Sequence, residues 1–343
     1  MKRKSLSESD LIELIRAYPQ DFPASIRGHI GDDCAVFETS IAEQLVVTSD
    51  LLLEGIHFKR NWISPSFLGR KSCLVNASDL AAMGARPYAC LLGLGLPETL
   101  TGQYFQDLVT GFLQECAKID MPLIGGDLSR SAAVVISVTA LGCVDSGKPI
   151  SRSGAKEGDS VLLIGKTGYS RLGLDYLKSS GGAGLAEISD EKALRDWADA
   201  PHCYEWLKAH FLPEIHLEAA VWIREMGLAN SMIDVSDGLG HDLLHILEES
   251  QLSCEMQIEK LPCPSGVKRV EEARRYALNG GEDYALLLTV SGKQLSELER
   301  SYPQEFPPFR VIGRLSSGPV NLSMIDGQGQ RIPYESEGFS HFK

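Results

Sequence analysis

The chain has 343 residues, 43% of them apolar and 23% charged, and its 33 basic and 46 acidic side chains give a net charge of −13. That balance excludes a nucleic-acid surface, which needs clustered Lys and Arg to displace counterions, and no run approaches the ~18 apolar residues that cross a bilayer. The length favours two cores over one, while eight cysteines without a Cys-x-x-Cys spacing, and an N-terminus lacking a signal-peptide apolar stretch, predict a cytoplasmic protein with reduced thiols.

Residues 6–18 place Leu6, Leu11, Leu14 and Ile15 near one face and predict an amphipathic helix. A glycine turn, GDDCAVF, leads into EQLVVTSDLLLEGIHF, a strand pattern ending at Asp50. Residues 66–86 predict a helix through NASDLAAMGARP, stopped by Gly84 and Pro87. Next come a buried strand in YACLLGLGLP, a helix over 103–118, a short strand in MPLIGGDLSR that breaks at its glycines, and a β-branched strand in AVVISVTALGCV. Around SGKPISRSGAKEGD the composition turns to Gly, Ser, Pro and charge, which divides the chain into domains 1–148 and 149–343. The second half predicts a strand in SVLLIG, a helix near 170–179, an exposed excursion in SSGGAGLAEISDEKALRDW, and strands near 253–260, 284–290, 308–313 and 319–325 with a helix near 293–301. Strands and helices mix without a strict βαβ rhythm, so both domains read as α+β.

Acids recur at one kind of place. LVVTSD ends in Asp50, NASD in Asp79, LIGGD in Asp127 and SMIDVSD in Asp234 and Asp237, while GDDCAVF sets Asp32 and Asp33 ahead of an apolar run. A single Asp at such a junction is ordinary turn or cap chemistry. Acids from five segments that converged would repel one another unless cations stood between them, and Mg²⁺ completed by water and phosphate oxygens is the natural filler. The pattern points to a multi-metal polyphosphate site.

Other motifs fail on spacing. GDSVLLIGKTG lacks a Walker A loop's first glycine, because Ser160 stands there. His241 and His245 have zinc-pair spacing, but the shorter Asp242 stands where a zincin has Glu, and both lie opposite the apolar face of Leu239, Leu243, Ile246 and Leu247. HCYEWLKAH, with His202, Cys203 and His210, reads as helix surface, and Asp242, inside a helix beside two histidines, is set aside. No G-x-S-x-G occurs.

GDDCAVF, VVTSDLLLEGIHF, NASDLAAMGARP, LIGGD, SRSGAKEGD, IDVSDGL and NGGEDYALLLT, in this order, resemble the thiamine-monophosphate kinase family, from about residue 5 to the C-terminal EGFSHF. Its wider group includes aminoimidazole ribonucleotide synthetase and selenophosphate synthetase. The resemblance implies two α+β domains, the first pairing across a two-fold axis into a β-barrel and so making a homodimer, the second sandwich-like. ATP would be the co-substrate, several Mg²⁺ ions the cofactor and thiamine monophosphate the acceptor, with no phosphoenzyme. Such phosphoryl transfer is largely positioning and charge neutralisation, in keeping with a sequence rich in acids and lacking a nucleophile.

Carried over residue by residue, the resemblance assigns metal binding to Asp33, Thr48, Ser49, Asp50, Asp79, Asp127, Asp234 and Asp237. It assigns nucleotide contact to Gly126, Asp127, Arg152 and Ser236, and the thiamine monophosphate site to His57, Glu282 and Phe339. This chain departs from the family in having Leu51 where a Thr is common and Ser49 where Thr is usual, so one hydroxyl is lost and one kept. Two alternatives remain. Another synthetase of the group is disfavoured, since the first cysteine, Cys34, lies inside the metal motif and the chain ends SHFK without a terminal Cys. A non-catalytic nucleotide or thiamine-phosphate binding protein is disfavoured by the complete set of acids.

Overall fold

The structure is a computed structural model that describes residues 26–27, 35–38, 43–145 and 148–334. The predicted helix over 6–18 and the candidate residues Asp32, Asp33 and Phe339 lie outside the described residues.

The first half forms one six-stranded sheet. Its strands are β1 (Ile26–Arg27), β2 (Ala35–Glu38), β3 (Glu43–Leu53), β4 (Arg86–Leu96), β5 (Leu123–Arg130) and β6 (Val135–Asp145), in the order β1-β2-β3-β6-β4-β5. All neighbours are antiparallel except β4 and β5. In β6, Ile136, Val138, Ala140 and Val144 are buried while their neighbours in sequence are half-buried, the period-two pattern of a sheet with one face packed.

Helices α1 (Pro65–Ala82) and α2 (Gln103–Lys118) accompany that sheet. Helix α1 starts where the Ser64 hydroxyl accepts the Phe67 N–H at 3.3 Å, with Pro65 in its first turn. Fourteen of its 18 residues are buried, so it is enclosed on every side and its polar residues need partners inside the protein. The two helices touch backbone to backbone at glycines: a Cβ on Gly69 would lie 1.9 Å from Leu108 O, and one on Gly111 would lie 2.2 Å from Ser66 O.

Two predicted strand ends move. Strand β3 passes through Asp50 to Leu53, because β6 pairs with it over its whole length. Strand β5 continues through Gly125 and Gly126 beside β4, after a register shift between Leu123 and Gly125; Gly126 is glycine because a Cβ there would lie 1.9 Å from Leu92 O.

The second sheet has seven strands: β7 (Ser160–Ile164), β8 (Ser231–Asp234), β9 (Ser253–Gln257), β10 (Leu286–Val290), β11 (Phe309–Ser316), β12 (Asn321–Ile325) and β13 (Arg331–Pro333), in the order β13-β12-β9-β11-β7-β10-β8. Its helices are α3 (Tyr169–Ser180), α4 (Glu191–Trp197), α5 (Pro201–Phe211), α6 (Leu217–Glu225), α7 (Leu239–Ser250), α8 (Val270–Asn279) and α9 (Gly292–Ser301). Val161, Leu163, Ile233 and Leu287 pack with Leu239, Leu243 and Leu247 on one face. Leu162, Ile164, Met232, Leu286 and Leu288 pack with Ala220, Ile223 and Leu298 on the other. Burial on both faces explains why these strands read as continuous apolar runs.

The stretch predicted as an exposed excursion is instead anchored. Leu185 and Leu194 are buried, and with Leu177, Tyr204, Leu207 and Phe211 they join the core of the first sheet. Helices from the second half therefore complete the first half's core.

Candidate active site

Strand β8 delivers Asp234 to a loop that ends at Gly238, where α7 begins. A second loop, 280–285, is laced to it: Val235 N–H donates to Ala285 O (2.8 Å), Tyr284 N–H to Val235 O (2.8 Å) and Glu282 N–H to Ser236 O (2.7 Å). Gly281 permits the approach, since a Cβ there would lie 2.7 Å from Ser236 O. The cap residue of α7 is Gly238, which has no side chain to offer. The buried Asp242 carboxylate instead reaches back and accepts the N–H groups of Asp237 and Gly238, both at 3.1 Å. Asp242, set aside on sequence grounds, thus holds the loop. Burial, and then the charges of Asp237 and Asp234, push its carboxyl well above the usual range.

Helix α1 supplies the opposite wall. The Ser78 hydroxyl donates to Asp234 Oδ2 at 2.7 Å, the Thr48 hydroxyl donates to Asp79 Oδ2 at 2.5 Å, and Asn76 Oδ1 accepts the Asp50 N–H at 3.2 Å. Between the walls stands Tyr284, whose phenol is held well above its ordinary pKa by burial and then by the charges of Glu282, Asp50, Asp234 and Asp79. Acids from both halves of the chain thus act on one buried phenol.

Glu282 occupies the other end of this crevice. Lys71 Nζ lies 3.3 Å from its Oε1 and His210 Nδ1 lies 3.4 Å from its Oε2. Burial pushes the Glu282 carboxyl up, but Lys71 beside it, by charge and hydrogen bond, helps to leave the group below its ordinary value. His210 also bonds the Ser170 hydroxyl at 3.0 Å, and burial, aided by Lys71, lowers it to about 3, so it is neutral. The helix-surface reading of HCYEWLKAH is corrected, since His210 and Cys203 are buried. His57 Nδ1 accepts the Leu53 N–H at 3.0 Å, which fixes the ring.

Glu282 and Tyr284 both have left-handed backbone, φ +59° and +53°, which non-glycine residues rarely adopt. Asp283 between them points the other way and accepts the N–H groups of Gly168 (2.5 Å) and Ser170 (3.0 Å) at the start of α3. A carboxylate therefore fills the helix N-terminus where a P-loop would hold a phosphate, which agrees with the failed Walker A spacing.

Four candidates lie elsewhere around this centre. Arg152 acts on both Asp242 and His245, which puts it on the Asp237 side. In the first sheet, Asp50 pairs in register with Val138, which pairs with Leu92 and then Gly126; Leu51 pairs with Ser137, then Gly93, then Asp127. Cross-strand partners share a face, so Asp127 lies on the face opposite Asp50. Its carboxylate accepts the Ser129 hydroxyl at 2.9 Å. Ser49 is on that same far face, bonded to Val138 O and Thr139 Oγ1, both at 3.1 Å.

The donors that meet in the crevice are carboxylate and hydroxyl oxygens, which suit a hard divalent cation. No three His, Cys, Asp or Glu side chains among the described residues form an ion cage by themselves. His241 and His245 have ring centroids 4.9 Å apart and belong to no such group among the described residues.

Residues 31–144 match the family model of the AIR synthase related protein, N-terminal domain. Thiamine-monophosphate kinase of Synechococcus elongatus is 35% identical, with 98% of this chain and 97% of that protein covered. The Escherichia coli enzyme is 34% identical over 91% of each chain. Among solved structures, AaThiL complexed with AMPPCP and TMP has a TM-score of 0.81 at 31% identity, covering 100% of this chain and 99% of that one. Thiamine-monophosphate kinase from Stenotrophomonas maltophilia has a TM-score of 0.74 at 31% identity, covering 96% and 99%. With acids from both halves gathered in one crevice and end-to-end similarity at this level, the chain belongs to the thiamine-monophosphate kinase family.

Proposed function

We propose that this kinase transfers the γ-phosphoryl group of ATP directly to the phosphate of thiamine monophosphate, yielding thiamine diphosphate and ADP, with Mg²⁺ ions between the acids and the phosphates. The observation that carries this reading is the meeting of acids from both halves of the chain on α1, where the Thr48 hydroxyl bonds Asp79 and the neighbouring Ser78 hydroxyl bonds Asp234. Mg²⁺, when bound, neutralises phosphate charge. Asp50 and Asp79 with Thr48 would hold it from one wall, and Asp234 and Asp237 from the other, while Ser78 orients Asp234. In this reading Asp33 joins the metal set, Ser49 and Asp127 hold a further ion on the other face of the first sheet, Gly126, Arg152 and Ser236 meet the nucleotide, and His57, Glu282 and Phe339 form the acceptor site. No side chain is asked to form a bond to phosphorus; positioning and charge neutralisation carry the rate.

Domains 1–148 and 149–343 form the two lobes of this reading, which works in the cytoplasm. No helix among the described residues is long and apolar enough to cross a membrane. The first lobe pairs with a second copy through the sheet face that carries Leu51 and Leu91, 48% and 38% exposed, and the two sheets close into a barrel.

Purified protein with Mg²⁺, ATP and thiamine monophosphate should form ADP and thiamine diphosphate in equal amounts, and Asp50→Asn or Asp79→Asn should remove at least about 10³-fold of the rate. Absence of product from the wild-type protein refutes the function; full activity in both variants refutes the metal assignment.

A further inference from the structure

The loop that carries Asp237 is held from more sides than its own clasp with Asp242. Two glycines flank the start of α7, and each receives a neighbour. At Gly238, φ +130°, a Cβ would lie 3.2 Å from both the carbonyl carbon and the oxygen of Asn279, so the last residue of α8 rests on it. At Gly240 a Cβ would lie 2.5 Å from Cζ and 2.6 Å from Cε2 of Tyr334, so that ring is seated directly on the helix backbone. The Tyr334 hydroxyl then donates to Asn279 Oδ1 at 3.2 Å. One side chain thereby spans two segments that bound the crevice: the first turn of α7, just after Asp237, and the residue that leads into the 280–285 loop.

Tyr334 is itself anchored outside the crevice. It follows β13, its N–H donates to Leu322 O at 3.2 Å, and its ring packs with the buried cluster of Leu239, Leu243 and Leu322. Strand β13 is one edge of the second sheet and β8, which delivers Asp234, is the other. The Tyr334 contact therefore ties the far edge of the sheet to the loop between β8 and α7. With only two side-chain torsions, a seated aromatic ring holds such a position at small entropic cost.

We propose that Tyr334 is a positioning residue for the reaction: seated in the notch of Gly240 and bonded to Asn279, it fixes the Asp237 loop and the 280–285 loop relative to each other. The inference rests on the reading of Asp234 and Asp237 as metal-binding acids.

The experiment reads two signals, neither of them turnover: hydrogen exchange of the amides over 235–240, followed by mass spectrometry, and binding of Mn²⁺ alone, followed by the electron paramagnetic resonance signal of the free ion. Tyr334→Ala should speed that exchange and weaken Mn²⁺ binding, each by about 10-fold, the low end of what losing a support behind a metal ligand costs. Gly240→Ala should do the same by expelling the ring, although alanine is otherwise the better helix former. Both changes act through one contact, so the double variant should also lose about 10-fold and not about 100-fold. Tyr334→Phe keeps the ring, loses only the bond to Asn279, and should fall between wild type and Tyr334→Ala. A Tyr334→Ala protein with a lowered Tm but wild-type exchange and Mn²⁺ affinity would overturn the proposal, because ordinary packing gives that result; additive losses in the double variant would overturn it too. Should Tyr334→Ala fail to fold, Tyr334→Phe and Gly240→Ala decide on the same two signals. Wild-type protein that binds no Mn²⁺ would refute the metal reading itself, and the exchange measurement, which needs no metal, would then decide on the loop alone.

Discussion

Asp283 gives the most exacting test of the physical reading. Burial raises its carboxyl from 3.8 to about 7, although the N–H groups of Gly168, Tyr169 and Ser170 favour the ionised form. In the unfolded chain it titrates at the ordinary value, so between pH 3.8 and 7 the folded state binds more protons than the unfolded one. Its contribution to stability is thus fullest at low pH and falls as pH rises, by about 1.4 kcal/mol per unit, levelling off above pH 7 after a total of about 4 kcal/mol. Asp283→Asn cannot ionise. It loses an acceptor at the start of α3, a penalty of about 1–2 kcal/mol that does not vary with pH. The stability advantage of wild type over this variant should therefore fall steadily from pH 4.5 and reverse before pH 7, followed as the difference in Tm between the two proteins. A Tm difference that stays constant across that range, or grows with pH, would refute the assignment of Asp283 as a buried carboxyl strained by desolvation.

Ser78→Ala removes the donor to buried Asp234 Oδ2, leaving a charged acceptor short of one partner, a cost of about 1–3 kcal/mol. The variant should show both a lower Tm and a kcat/KM reduced by about 10-fold at saturating Mg²⁺; a stability loss with unchanged activity would make the bond structural only. Leu91→Asp puts a charge on the exposed sheet face beside Leu51. If that face joins two copies, the variant should sediment as a monomer where wild type is a dimer, and a wild-type monomer would refute the pairing.

Much of the second sheet was legible in the sequence because its strands are buried on both faces, so SVLLI and LLLTV appear as bare apolar runs. Helix α2 was legible for the opposite reason, a clean amphipathic period over Gln103–Lys118. Asp79 and Asp234 stood out as acids closing apolar segments, and the structure brings both to one crevice. Lys71 did not stand out, because a lysine in a helical stretch ordinarily faces water, and only the enclosure of α1 by both halves reverses that. His210 was misread for a similar reason. Its burial comes from α3, where Gly173 lets a neighbouring helix approach so closely that a Cβ would lie 2.9 Å from His210 Cβ and 2.4 Å from Trp206 O, a contact between residues far apart in sequence. In GGEDYA nothing local tells which acid faces the crevice; the alternation of backbone hand at Glu282 and Tyr284 decides it.

Helix α1 touches both ends of the crevice, with Lys71 at Glu282 and Ser78 at Asp234. Seven residues of α-helix rise about 10 Å and turn through almost two full circles, so these two side chains leave the helix in nearly the same direction at a set spacing. The helix is therefore a ruler: its pitch fixes the distance between the Glu282 corner and the Asp234 corner. That spacing is written into regular backbone geometry, where inserting a single residue between Lys71 and Ser78 would swing one end through about 100° and break the measure.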